Sequence, residues 1–579
     1  MKKIWLYFLL VLIVLTVCIL PIGGRPLLTP DETRYAEIPR EMLLSGNYVS
    51  PRLNGVRYFE KPAFAYWAFA VSFRLFGMNR FALRLPCMLA MLATAWIVFM
   101  LMGRFDRDVR VRLLGALIFA AMPLVYVLAT VAVTDMFLTL FVTGASVSFF
   151  LAAQDDTDRK RRVPLLLLCG LCSGLAFLSK GFLAFAVPAV TLLPYLIWDR
   201  KWKKIFTLPW IPLIAMLLIV APWCIAIHRQ EPDFWRYFFF EEHVKRFFGL
   251  KFWHHFLSAE QIGRLFGNEQ EKAQHARNFF YFFPFMAAAL AVWLPMIPDL
   301  CRAWRSQVKD SPLLKFCVCG VVLPFLLLSC SSGKLPTYIL PCLPPMAILI
   351  SAGAEKFFVE ERRDKAFHLT LLILAVLPPL TLLLVAINML TDFPTVFFMK
   401  EDWPQLLLLA AVSAMCLTGL FLAWKESDRY AKLFLLLIAL TPALFASNFI
   451  FPARMREWQA PSRFLMEVAG MLPKENTVIV VRREPFQAAC LAFRSTDVRM
   501  FEKKDEIAYG MSYPEAQYRF VPNFPALKEL CRKQKESNGH VAVITPLEKL
   551  HYFEESMPPP ERSWISRPGM KTGYAVLLY

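Results

Sequence analysis

The stretch from Pro30 to Pro62 reads PDETRYAEIPREMLLSGNYVSPRLNGVRYFEKP and alternates acids, bases and aromatics. Asp31 and Glu32 follow Pro30, an order that suits the first turn of a helix, where the dipole favours carboxylates. Taken locally, Asp31 is a helix start. Arg34, Tyr35, Arg57 and Tyr58 suit either of two tasks, holding lipid phosphates or bracing the segment. Asp135 opens an apolar run after Thr134. A carboxylate there is costly unless solvated or paired, so it reads as a cap or as a second acid in a cavity. Farther on, EEHVKRF places His243 and Arg246 three residues apart, on one face of a helix. An arginine fork fits a phosphate. Glu60 and His243 come from different segments and could be pinned by a hydrogen bond or by a divalent cation such as zinc. Two ligands make a bare metal set, and the spacing of His254, His255 and His275 follows no metal motif. Tyr338, in SGKLPTYILP, is placed like a membrane-interface anchor, with Lys334 adding charge beside it.

These residues need a scaffold, and composition indicates which kind. Hydrophobic residues make up 57% of the 579 and charged residues 19%. Soluble domains carry about 25% charge, and disordered chains lack this much apolar surface. The chain therefore reads as a polytopic membrane protein. Apolar runs fall at Ile4–Ile22, Leu85–Leu101, Leu113–Ala129, Met136–Ala153, Leu165–Leu178, Phe182–Trp198 and Leu208–Ile227. Six more follow at Phe279–Ile297, Phe316–Ser329, Ile339–Ala352, Phe367–Leu390, Leu406–Trp424 and Leu433–Phe451. That predicts about 13 transmembrane helices. With the N-terminus in the cytoplasm, the short cytoplasmic segments hold 25 Lys and Arg, against three in the short outer loops. This bias matches the positive-inside rule and puts the C-terminus outside.

Three long segments are then expected outside: 23–84, 228–278 and 452–579. Long ordered connections usually carry function. The last has strand-like runs at Thr477–Val481, His540–Ile544 and Tyr574–Leu578 and a polar helical stretch near Phe524–Lys535, which predict a small α/β domain. The domain reading is 1–451 for the membrane unit, with segments 23–84 and 228–278, and 452–579 for the outer domain. Most of the 13 cysteines lie in apolar runs. Cys490 and Cys531 lie in the outer domain, where a disulfide is open to them. The net charge of +19 sits largely in loops flanking the membrane, so nucleic acid is not an expected partner. No P-loop or dinucleotide fingerprint is present.

PDETRYAEIPREML, GVRYFEKP, EPDFWRYFFFEEHVKRF, GKLPTYILP and AYGMSYPEAQYRFV occur in that order across nearly the whole chain. Together they resemble the bacterial 4-amino-4-deoxy-L-arabinose lipid A transferases. These are GT-C glycosyltransferases of the protein O-mannosyltransferase-like branch. The resemblance implies an inner-membrane enzyme with its site in the periplasm, on the side where the charge bias puts the C-terminal domain; a monomer is expected. It implies an undecaprenyl-phosphate-linked sugar donor, a lipid A acceptor and resistance to polymyxin and other cationic peptides. Asp31 matches the catalytic aspartate and Lys61 a contact to the donor phosphate. Asp135 has a family counterpart, as does Lys180, whose task is open. Arg246, Arg277, Lys334 and Tyr338 become candidates for the carrier phosphate, with Glu32, Arg34, Tyr35, Arg57 and Tyr58 as substrate contacts. No cofactor is required, and zinc at Glu60 and His243 would be structural. Phe247–Lys272 is longer than the family pattern and makes carry-over beyond Arg246 uncertain. The competing readings are another polyprenyl-linked transferase acting on a protein or glycan, and a lipid flippase or transporter. Transporters usually show pseudo-symmetric halves with broken helices, which the sequence lacks.

Overall fold

The computed structural model describes residues 12, 16–154, 159–245, 247, 277–391, 398–473, 476–483, 485–566 and 573–579. Among these, nine helices are long and apolar enough to cross a membrane. They run over Arg80–Gly103, Asp135–Gln154, Arg159–Lys180, Lys204–Gln230, Pro312–Cys330, Pro336–Glu360, Lys365–Leu390, Lys400–Lys425 and Arg429–Ala446. Three further expected spans take other forms. Leu113–Ala129 is a pair of helices bent by 66° at Met122–Pro123. Phe279–Ile297 falls on a pair bent by 86° that continues to Gln307. Leu183–Trp198 has 16 residues, including Pro188 and Pro194. At 1.5 Å per residue it reaches about 24 Å, short of the roughly 30 Å hydrocarbon core. The described residues thus hold nine to eleven candidate spans where the sequence predicted thirteen. Most of the first run, Ile4–Ile22, lies outside the described residues, as does almost all of Phe247–Lys272.

The 23–84 segment is folded throughout. Helix α1 (Asp31–Ser45) starts after Pro30, with Asp31 and Glu32 in its first turn. Strands β1 (Arg52–Leu53) and β2 (Val56–Arg57) form a hairpin across Asn54 and Gly55. Both turn residues have positive φ, 58° and 72°, which is why Asn-Gly suits this two-residue turn. Helix α2 (Phe64–Phe76) is apolar but has only 13 residues and packs on α1. Its Phe69 ring lies 6.0 Å from that of Tyr35.

The C-terminal unit is built on six strands: β3 (Thr477–Arg482), β4 (Arg499–Phe501), β5 (Phe520–Val521), β6 (His540–Pro546), β7 (Arg562–Ile565) and β8 (Tyr574–Leu578). Their order is β5-β4-β3-β6-β8-β7. β3 to β6 pair in parallel, and β8 runs antiparallel to both β6 and β7. Helix α3 (Phe486–Phe493) packs on one face and α4 (Phe524–Glu536) on the other. The sheet therefore separates Cys490, on α3, from Cys531, on α4. Both are free thiols, so the outer cysteine pair forms no disulfide.

One face of this unit locks onto the 23–84 segment. Asn54 is fully buried; its Nδ2 donates to the Val498 carbonyl at 2.7 Å and its Oδ1 accepts from the Val498 N–H at 2.8 Å. Glu41 of α1 accepts from the Gly55 N–H at 2.9 Å. Arg40 pairs with Glu37 and donates to the Ser495 carbonyl.

Candidate active site

Asp31 is the first residue of α1. The preceding Pro30 occupies the cap position, and no side chain caps the helix. The Asp31 carboxylate instead pairs with Arg34, one turn along. Its side chain is 59% exposed, so it is open to a ligand. Glu32, its neighbour, is the opposite case. It is fully buried and bound by Arg84 through two contacts of 2.7 Å. It also accepts from the N–H groups of Leu28 and Ala132. Arg84 and Arg25 hold its carboxyl below the usual range although burial pushes the other way. The expected substrate contact at Glu32 is thus a buried brace. It fixes the start of α1 to the Arg80–Gly103 helix, and a buried charge with this many partners has no valence left for substrate.

Arg34 is the hub of the site. Its guanidinium donates to Glu506 at 2.6 Å and to the Tyr58 hydroxyl at 3.1 Å. It lies 3.9 Å from Glu60 and contacts Asp31. Three carboxylates from different parts of the chain therefore share one cation. Glu506 is a site residue that sequence reasoning missed. It comes from the C-terminal unit, 472 residues away, and Gln487 of α3 donates to it at 2.6 Å. Burial pushes its carboxyl up to about 7 against the pull of Arg34. The only hint in the sequence is its place just upstream of AYGMSYPEA.

Tyr35 and Tyr58 are both buried. Tyr35 stacks on Tyr66, and its phenol is within electrostatic reach of Asp31 on one side and Asp135 on the other. It joins the Arg34 hub to a second group. There Asp135, at the start of its helix, pairs with Lys180 at the end of the next, at 2.5 Å. The Lys180 ammonium sits 4.4 Å over the Tyr338 ring. Lys180, whose task the sequence left open, is thus part of the site. Lys61 donates to Glu242 at 2.9 Å and to the Glu60 carbonyl at 2.8 Å.

His243 links these parts by backbone contacts. Its Nδ1 lies 2.7 Å from the Phe238 carbonyl, and its Nε2 accepts from the Phe182 N–H at 3.4 Å. Burial pushes its pKa down, which keeps the ring neutral. Both ring nitrogens are engaged, and Glu60 has its own neighbour in Arg34. Among the described residues no group of three or more His, Cys, Asp or Glu is placed to hold a metal. Glu60 and His243, the zinc pair considered from the sequence, belong to no such group of three.

Arg57 is likewise committed. It pairs with buried Glu231 at 2.5 Å and with Glu515, and lies 4.0 Å over the Tyr513 ring. Ser50 and Arg52 bind the same Glu231. Arg57 therefore clamps three segments together. Lys334 is buried and donates to the carbonyls of Arg277 and Ser331. Burial pushes its ammonium down. It ties the turn between the Pro312–Cys330 and Pro336–Glu360 helices to the backbone of Arg277, whose own side chain stays exposed. Arg246 lies outside the described residues.

Residues 3–238 match the family described as dolichyl-phosphate-mannose-protein mannosyltransferase, and residues 456–569 match the arabinosyl transferase ArnT C-terminal domain. The undecaprenyl phosphate-alpha-4-amino-4-deoxy-L-arabinose arabinosyl transferase of Erwinia tasmaniensis is 34% identical over 562 residues, 94% of each chain. The protein of that name from Aeromonas salmonicida is 32% identical over 554 residues, 95% of each. Among solved structures, ArnT from Cupriavidus metallidurans bound to undecaprenyl phosphate superposes with a TM-score of 0.81. That match covers 100% of this chain and 98% of the other at 22% identity, and it shows the shared fold. The mainly helical, polytopic architecture with a small α/β C-terminal unit is therefore the one the resemblance implied. A multi-pass scaffold that holds an exposed carboxylate among arginine and lysine defines a membrane glycosyltransferase of the lipid-linked-donor class. Within that class, the chain belongs to the undecaprenyl phosphate-aminoarabinose arabinosyl transferase family.

Proposed function

We propose that this protein transfers 4-amino-4-deoxy-L-arabinose from undecaprenyl phosphate to a phosphate of lipid A, at the periplasmic face of the inner membrane. The observation that carries the reading is Asp31: an exposed carboxylate at a helix N-terminus, aimed by Arg34. In the reaction the bond between the anomeric carbon and the carrier phosphate breaks. A lipid A phosphate oxygen forms the new bond to that carbon. The sugar passes through an oxocarbenium-like state, which a nearby carboxylate stabilises. The acceptor is already an anion, so Asp31 orients and stabilises more than it deprotonates. Lys61 and Lys180, held by Glu242 and Asp135 and shared with them, join Arg246 and Arg277 as the cations for the carrier phosphate as it leaves with growing charge. Tyr338 is a phenol donor to the same group.

In this reading residues 1–451 form the catalytic membrane unit, including segments 23–84 and 228–278. Residues 452–579 form a periplasmic unit that closes the site through Glu506. The N-terminus is cytoplasmic and the enzyme works as a monomer among membrane lipids. The product carries an added amine, which lowers negative surface charge and so weakens polymyxin binding. Mass spectrometry of lipid A from cells with and without the gene tests the proposal. An aminoarabinose increment only in the expressing strain is expected. Its absence while the donor lipid is present refutes the reading.

A further inference from the structure

The hub around Arg34 is out of electrical balance. Asp31, Glu60 and Glu506 present three carboxylates to a single guanidinium. Glu60 and Glu506 are largely buried, with side chains 12% and 16% exposed. Burial, with Glu60 and Asp31 as like charges, pushes the Glu506 carboxyl up to about 7 although Arg34 opposes it. An anionic group entering here would meet repulsion, so phosphates belong on the Lys61 and Lys180 side. A cation would supply the missing charge.

Two buried side chains face the same place with acceptor capacity unspent, beside the Arg34 Nε, a donor that also has no partner among the described residues. Tyr66 is fully buried, and its hydroxyl has no hydrogen-bond partner among the described residues. It lies within electrostatic reach of Arg34, Glu60 and Glu506. Gln487 is 2% exposed; its Nε2 donates to Glu506, while its Oε1 has no partner among the described residues. Buried polar atoms are rarely left unpaired, and such orphans at a site call for a ligand group. A primary ammonium carries three donors and no acceptor. That pattern matches two carboxylates, an amide oxygen and a phenol oxygen.

We propose that Glu60, Glu506, Gln487 and Tyr66 form a subsite that reads the ammonium group of an amino sugar on the lipid-linked donor. The inference rests on the transferase reading above and deepens it. It makes the C-terminal unit a determinant of donor choice, since Glu506 and Gln487 both come from it. The subsite separates the two ends of the donor. The amine lies toward the C-terminal unit, and the phosphate lies toward Lys61 and Lys180. Sites built to hydrogen-bond a substrate group reject analogues that lack it, because their own polar atoms are then stranded.

The test uses the purified full-length enzyme with two undecaprenyl phosphate donors, one carrying the 4-amino sugar and one its uncharged N-formyl derivative. The readout is the ratio of kcat/KM for the two. The wild type is expected to prefer the amine by about 100-fold or more. Glu506→Gln is expected to cut that preference at least tenfold. Tyr66→Phe removes an unpartnered hydroxyl and so keeps the fold. It is expected to lower the preference in the same direction, mainly through KM for the amine donor. If both donors lose activity by the same factor in each variant, the residues only support Arg34 and the inference is overturned. If the wild type uses neither donor, the transferase reading itself fails and takes this inference with it.

Discussion

At the scale of single residues, adjacent acids do opposite work. Asp31 is exposed and held by one arginine, while Glu32 is buried and held by Arg84 and two backbone amides. The difference follows from the turn of α1, which aims one side chain outward and the next into the helix behind it. Glu41, three turns on from Asp31, shows a third behaviour. Burial, then the charge of Glu37, pushes its carboxyl up to about 8. In the unfolded chain a glutamate titrates near 4.3. Between those values the folded state holds a proton that the unfolded state has released. By linkage, stability is greatest below about pH 4.3 for this group and falls as pH rises toward 8. Glu41→Gln fixes the neutral form. Thermal unfolding followed from pH 5 to 8.5 should therefore show a shallower decline in the variant than in the wild type. Identical slopes would mean that Glu41 holds no such proton.

Among elements, the decisive contacts are between segments far apart in the chain. The sharp turn joining the Arg159–Lys180 and Leu183–Trp198 helices depends on Gly181. Its φ is +74°, and a Cβ there would come within 2.4 Å of His243 Nε2. Gly181→Ala should displace His243 and cost about 1–2 kcal/mol of stability from the backbone alone. A thermal shift assay checks it, and a variant with unchanged stability would show that the turn tolerates a side chain. The spanning helices were legible in the sequence because each is a long apolar run. So were three strands and α4, whereas the β1–β2 hairpin at Asn54 and Gly55 was not among the expectations. Strands β4, β5 and β7 have two to four residues each, too few for any periodicity to show. In the site, Asp31 and Asp135 stood out as charges at special places, and Lys61 only through the family motif around it. Arg84 could have been found as an arginine at the edge of an apolar run. Glu506 could not, because its meaning comes from Arg34 and nothing local distinguishes it. Arg57 and Lys334 looked like phosphate ligands, but a sequence does not reveal that Glu231 and a set of carbonyls already occupy them.

At the scale of the whole molecule, the 23–84 segment, the described residues 228–245 and the C-terminal unit meet at one junction. Arg57 is where the three meet, through Glu231, Glu515 and Tyr513. Removing Arg57 leaves buried Glu231 with only Ser50 and the longer Arg52 contact, a partial loss of its partners worth about 1–3 kcal/mol. Arg57→Ala should therefore lower the unfolding temperature and reduce transfer together. Lost transfer at full stability would instead make Arg57 a substrate contact. The net charge of +19 also divides by role. Much of it lies in short loops between spans, while Arg34, Lys61 and Lys180 balance acids inside the site. The central claim is that Asp31 performs sugar transfer on this scaffold. It is tested most directly by incubating purified wild type and Asp31→Asn with undecaprenyl phosphate-linked aminoarabinose and lipid A, with the product read by mass spectrometry. The account predicts an aminoarabinose increment on lipid A with the wild type and a rate at least about 100-fold lower with the variant. Equal rates from the two proteins would contradict it.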